Sequence, residues 1–149
     1  MPFSKRFQPK RVTFRQFLIS SIGDQLFLNE RNKKAFFSVI TKVGLTTVVA
    51  ESADGGEFPT RRIKISNIVA ISKEIQPFKS NCRVAIRTKT LGVIKGFNLR
   101  IFADFVQLST ISPPQEQGQS EIFFRTSIPL REIIRIKKCG CARKKKTSK

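Results

Sequence analysis

The sequence predicts an all-β protein of two related, barrel-like units, and three observations carry that expectation. Short runs rich in Phe, Val, Ile and Thr are separated by Gly, Pro and Asp-Gly punctuation, the pattern of short strands joined by tight turns. A spacing of isoleucines around residue 65 recurs around residue 130. The chain has 149 residues, enough for one domain or two very small ones, and its 40% hydrophobic content suffices for a core.

The elements follow in order. Thr13–Ile22 predicts a short helix with Thr13 as N-cap and Phe14, Phe17 and Leu18 on one face. Strand signals then take over at Leu26–Leu28, Ala35–Ile40 and Leu45–Ala50, with Gly44 between the last two. Residues 52–56 form a turn around Asp54-Gly55, Arg62–Ser66 alternates, and Ile68–Ile71 closes the unit. After Gln76-Pro77 the pattern restarts. Arg83–Thr88 alternates, Thr90-Leu91-Gly92 turns, and Val93–Phe97 and Leu99–Leu108 are strand-like with a break at Ala103-Asp104. A polar loop, Pro113–Ser120, precedes Glu121–Arg125 and Ile128–Ile136.

The repeat can be followed residue by residue. Ile63, Ile65, Ile68 and Ile71 return as Ile128, Leu130, Ile133 and Ile136 with the same gaps, and Lys73 and Lys138 follow each block. Upstream, Ile40, Val43, Val48 and Val49 align with Leu99, Phe102, Gln107 and Leu108 at a constant spacing, leaving a loop six residues longer in the second unit. This is the signature of a duplicated fold, in which paired isoleucines should superpose and be buried. Closing five short strands into a barrel would remove their exposed edges. The expected division is a basic arm over 1–16, one unit over 17–76, another over 77–138, and a basic, cysteine-containing tail over 139–149.

Charge is the strongest compositional signal: 29 Lys and Arg against 10 Asp and Glu, a formal +19. It gathers at the ends, in Lys5, Arg6, Lys10 and Arg11 and in Lys137, Lys138, Arg143, Lys144, Lys145, Lys146 and Lys149. Such ends suit a polyanion, and Phe3, Phe7 and Phe14, interleaved with the first cluster, suit base stacking. The Phe residues elsewhere fall at strand positions and are expected in the core. Histidine is absent, which removes the commonest general base and metal ligand. The chain carries no phosphate-cradling glycine motif and no nucleophile elbow, so no catalytic, cofactor or metal site is expected. No apolar run is long enough to span a membrane. Cys139 and Cys141 lie among cations that favour thiolate, which makes them candidates for cross-links between chains. Cys82 is expected to be a small core or edge residue.

The second unit reads V-A-I-R-T-K-T-L-G-V-I-K-G-F (Val84–Phe97), then D-F-V-Q-L (Asp104–Leu108), then F-F-R-T-S-I-P-L-R-E-I-I-R-I (Phe123–Ile136). It resembles the Sm-like, SH3-like small barrels found in tandem in spore coat protein B and related proteins of endospore-forming bacteria. The first unit keeps the frame in G-D-Q-L-F-L, V-G-L-T-T-V-V and I-S-N-I-V-A-I-S, but Phe37-Ser38 replaces the bend glycine. The resemblance implies a structural component of the coat or exosporium, made in the mother-cell cytoplasm and deposited on the spore surface. It would assemble with itself or with other coat proteins. The charge leaves a second reading open, a cytoplasmic small-barrel protein that binds nucleic acid, as an RNA-binding or ribosome-associated factor.

Overall fold

The computed structural model describes residues 12–53, 60–79, 82–112 and 121–141, with residues 140 and 141 described by backbone alone. Among the described residues the chain forms a short helix, α1 (Phe14–Ser20), and ten strands. These are β1 (Gln25–Glu30), β2 (Phe36–Val43), β3 (Thr47–Ser52), β4 (Arg61–Lys64) and β5 (Ile68–Ile75), then β6 (Cys82–Thr88), β7 (Val93–Ile101), β8 (Phe105–Ser112), β9 (Ile122–Pro129) and β10 (Ile133–Cys141). They make one antiparallel sheet in the order β10-β6-β7-β8-β9-β5-β1-β2-β3-β4. The all-β expectation therefore holds. The Asp54-Gly55 turn and the Pro113–Ser120 loop lie outside the described residues.

The helix forms where the sequence signals it. Thr13 accepts a hydrogen bond from the Gln16 amide at 3.1 Å, and the Gln16 side chain accepts one from the Thr13 amide at 2.9 Å, a reciprocal capping box. Asp104, from the far half of the chain, accepts a further bond from the Phe14 amide at 2.6 Å. Phe14 and Leu18 are buried, and Phe14 and Phe17 pack on Phe105. Residues 12–16 thus belong to the folded body rather than to the arm, because Phe14 fills the first core and Val12 packs against it.

Each half lays down its strands in one spatial order: fifth, first, second, third, fourth. In each, a single 3-10 turn separates the fourth strand from the fifth, at Ile65–Asn67 and at Leu130–Glu132. These turns stand in the three-residue gaps before Ile68 and Ile133, where the isoleucine spacing itself implies a turn or bulge that re-aims the chain. The isoleucine blocks occupy equivalent places, but their burial differs. Ile63 and Ile128 are both buried, and so are Ile68 and Ile71. Ile133 and Ile136 are only half-buried, and Leu130 is exposed. The reason is position: β5 lies between β9 and β1, whereas β10 is an edge strand.

The upstream alignment is off by one residue. Val48 stands opposite Ile63, and Val106 stands opposite Ile128. Val48 therefore corresponds to Val106, not to Gln107. A one-residue slip in a strand exchanges its two faces, and Gln107 and Leu108 accordingly face opposite ways.

Two cores sit on opposite faces of the shared sheet. Phe14, Leu18, Leu26, Leu28, Ile40, Val48, Ile63, Ile68, Ile71 and Phe105 belong to the first, and Ala70, Val84, Ile86, Val106, Leu108 and Ile128 to the second. Neighbours in sequence split between them, Ala70 from Ile71 and Phe105 from Val106, as alternation along a strand requires. The halves are thus interlocked. β5 pairs with β9 from Ile71↔Ser127 to Ile75↔Phe123. Beside this seam, buried Glu132 pairs with Arg31 and accepts from Thr90 at 3.2 Å. Arg131 reaches across to the Ile65 and Ile68 carbonyls at 2.6 and 2.9 Å. Burial pulls the Arg131 pKa below its ordinary value, with Glu132 acting in the opposite sense.

Gly96 allows β7 to approach β8. A Cβ there would lie 2.5 Å from the Ser109 carbonyl oxygen and 2.8 Å from Leu108 Cδ1. Just beyond it, Asn98 adopts a positive φ of 58° where the β7–β8 register shifts, a bulge that re-aims the following residues.

Candidate polyanion-binding face

Strand alternation sorts the side chains of β6, β7 and β10. Val84, Ile86, Ile94 and Ile136 turn into the second core, so Arg83, Arg87, Lys95, Arg135 and Lys137 project from the other face. All five are exposed. Register gathers them: Arg135 stands opposite Arg87, and Lys137 opposite Ala85, which in turn faces Lys95. Arg87, Arg135 and Lys137 wall a shallow depression of about 260 Å³ floored by Ala85 and Val93.

None of the five cations has an ion pair among the described residues. Four of the described acids are committed elsewhere: Asp24 to Lys73, Glu30 to Arg61 and Lys33, Glu132 to Arg31, and Asp104 to the helix N-terminus. Like charges directly opposite on a sheet destabilise it, so the Arg87–Arg135 pair carries a cost that an anion would offset. Cations also guard sheet edges against unwanted pairing. That accounts for β10, but not for Arg83, Arg87 and Lys95 on interior strands.

The face continues across the sheet. Arg83 stands opposite Phe97, Phe97 opposite Ser109, and Ser109 opposite Arg125. Beyond Phe97 lies a cleft of about 870 Å³, walled on one side by Glu74–Phe78 at and after the end of β5. Arg100 and Arg125 line it together with Gln107, Ser109, Phe78 and Glu74. The Phe78 ring packs against Phe97 at 5.9 Å and edge-on to Phe123 at 5.1 Å. A second trio, Phe27, Phe37 and Phe124, also lies outside the two cores. Reading every strand Phe as core therefore holds for Phe105 and not for these.

Of the cations singled out in the sequence, Lys137 lies on the face. Lys138 is exposed opposite Val84 and lines a separate groove with Cys82 and Leu99. Lys5, Arg6, Lys10, Arg11, Arg143, Lys144, Lys145, Lys146 and Lys149 lie outside the described residues. The supposed tail begins later than expected, because β10 continues through Cys141, whose backbone stands opposite Cys82. Cys139 is exposed and free within that strand, and Cys82 is disulfide-bonded.

Among the described residues, no three His, Cys, Asp or Glu side chains come together as a metal site would require, and no helix is long and apolar enough to cross a membrane. The chain matches no protein-family model, no curated protein and no solved structure.

Proposed function

We propose that this chain is a non-enzymatic, polyanion-binding protein of two tandem Sm-like units, and that the face of β6, β7 and β10 holds nucleic acid. The single observation that carries this is the placement of Arg83, Arg87 and Lys95, without ion pairs among the described residues, on strands where edge protection is not needed. Neutralised phosphates release counterions, so binding of this kind is driven by charge and falls steeply with salt. The Sm-like reading is supported by the shared strand order and by the 3-10 turn at the same point in each half. Direct titration tests the function: fluorescence anisotropy of labelled DNA and RNA oligonucleotides with the full chain in low salt. Saturable binding that disappears as salt is raised is the expected result. No binding to any oligonucleotide at low salt would end the proposal.

One observation favours the structural role on the spore surface. The sheet is open at both ends, with β4 and β10 each paired on one side only among the described residues, and an open edge can accept another strand. In that role the chain would be recovered from mature spores rather than from the cytoplasm of vegetative cells, which fractionation of sporulating cells would decide.

A further inference from the structure

We infer that the cleft beside the basic face receives one nucleotide unit of a single strand, so that the protein prefers single-stranded to duplex nucleic acid. The inference rests on the polyanion reading above and adds the class of ligand. Three features of the cleft point to a phosphate joined to an aromatic base. First, Arg100 and Arg125 line it and neither has an ion pair among the described residues, leaving two guanidinium forks for phosphate oxygens. Second, Phe78 supplies an aromatic wall only partly buried by Phe97 and Phe123, and a ring of this kind takes a base whatever its sequence. Third, the floor is polar although nearly closed from solvent. Gln107 and Ser109 are 9% and 7% exposed. Gln107 Nε2 donates to the Ser127 hydroxyl at 3.0 Å. A polar floor of this kind suits a base edge or a sugar hydroxyl. Glu74, the acid of the cleft, can only accept hydrogen bonds, which suits a base amino group or a sugar hydroxyl and opposes a second phosphate.

Size and continuity select the strand. A volume of about 870 Å³ lies in the range of small-ligand sites and is too confined for a duplex. The row Arg83, Phe97, Ser109, Arg125 runs from the basic face directly into it, so flanking phosphates would continue along Arg83, Arg87 and Lys95. A base paired within a duplex cannot reach Phe78 without leaving its stack.

The test uses the absence of Trp and Tyr from the chain. Phe78→Trp in the full-length protein introduces a single tryptophan at the proposed stacking position. A single-stranded oligonucleotide should quench its fluorescence on binding, whereas inorganic polyphosphate and duplex DNA should bind the basic face and leave the emission unchanged. Arg100→Gln with Arg125→Gln, and separately Phe78→Ala, should each weaken single-strand binding roughly tenfold while duplex affinity stays within about twofold and the circular dichroism is unaltered. Free mononucleotide should quench only weakly, since it lacks the flanking phosphates. Duplex and polyphosphate binding without quenching by single strands would overturn the inference and leave the basic face standing. Equal losses for single strands and duplex in the cleft variants would overturn it too, as would quenching by free mononucleotide as tight as by the oligonucleotide. Failure of every polyanion to bind would remove both readings.

Discussion

Removing the Glu132 carboxylate should loosen the seam between the two halves. The side chain is 2% exposed and pairs with Arg31, which is 36% exposed, while Thr90 donates to it and Arg131 lies 3.9 Å away. Deleting one partner of a fully buried ion pair costs about 3–5 kcal/mol, because the other charge is stranded. Here Arg31 retains contact with water, which lowers that figure, and the lost Thr90 hydrogen bond adds about 1 kcal/mol. Glu132→Ala should therefore destabilise the protein by about 2–4 kcal/mol, a large part of the stability of about 5–15 kcal/mol typical of a native domain. Glu132→Gln, which keeps an acceptor for Thr90, should cost less. The assay is urea unfolding of the wild type, Arg31→Met, Glu132→Leu and the double variant. Groups in contact give coupling energies of about 0.5–3 kcal/mol in such a cycle, and this pair should fall at about 1–2 kcal/mol. A coupling below about 0.5 kcal/mol would mean that the pair behaves as a surface contact, and the seam would then rest on β5–β9 pairing alone.

Further outcomes follow from the same geometry. Gly96→Ala forces a methyl group against the Ser109 carbonyl and Leu108 and should cost about 2 kcal/mol or more in urea melts; Gly92→Ala, in open space at a φ of 73°, should cost only about 1 kcal/mol. Phe14→Ala empties the helix face of the first core and should destabilise by about 3–5 kcal/mol, with Thr13→Ala costing about 1 kcal/mol. Loss of the second variant's effect when Gln16 is also replaced would confirm that the cap acts through the reciprocal bond. Cys139→Ser should leave stability unchanged, because the thiol is exposed and free; a shifted unfolding midpoint would contradict its placement on the outside of β10.

The sequence made the local structure legible and the surface much less so. Thr13 and Gln16 announce a helix start by chemistry confined to four residues, and the helix is there. Alternation in Arg83–Thr88 and the isoleucine blocks likewise report local burial, so strand positions and a repeated strand order were readable. Register was not. Whether Val48 corresponds to Val106 or to Gln107 depends on cross-strand pairing, which apolar residues on adjacent positions leave ambiguous. The basic face was missed for the same reason. Attention to contiguous charge picks out the chain ends, whereas Arg83, Arg87, Lys95 and Arg135 are scattered along three strands and meet only through the sheet. A usable signal was present: in R-V-A-I-R the two arginines fall opposite the two core residues, on one face of one strand.

The most direct test of the basic face is the salt dependence of duplex binding, compared among three forms of the full-length fold. For the wild type, log K against log salt should be linear, with a slope of about −0.9 for each phosphate neutralised. Arg87→Gln with Arg135→Gln and Lys137→Gln should flatten that slope by about two to three contacts' worth. Deleting residues 142–149 should reduce affinity but leave the contribution of the face intact. A slope unchanged in the triple variant and abolished by the deletion would assign polyanion binding to the tail and contradict the account.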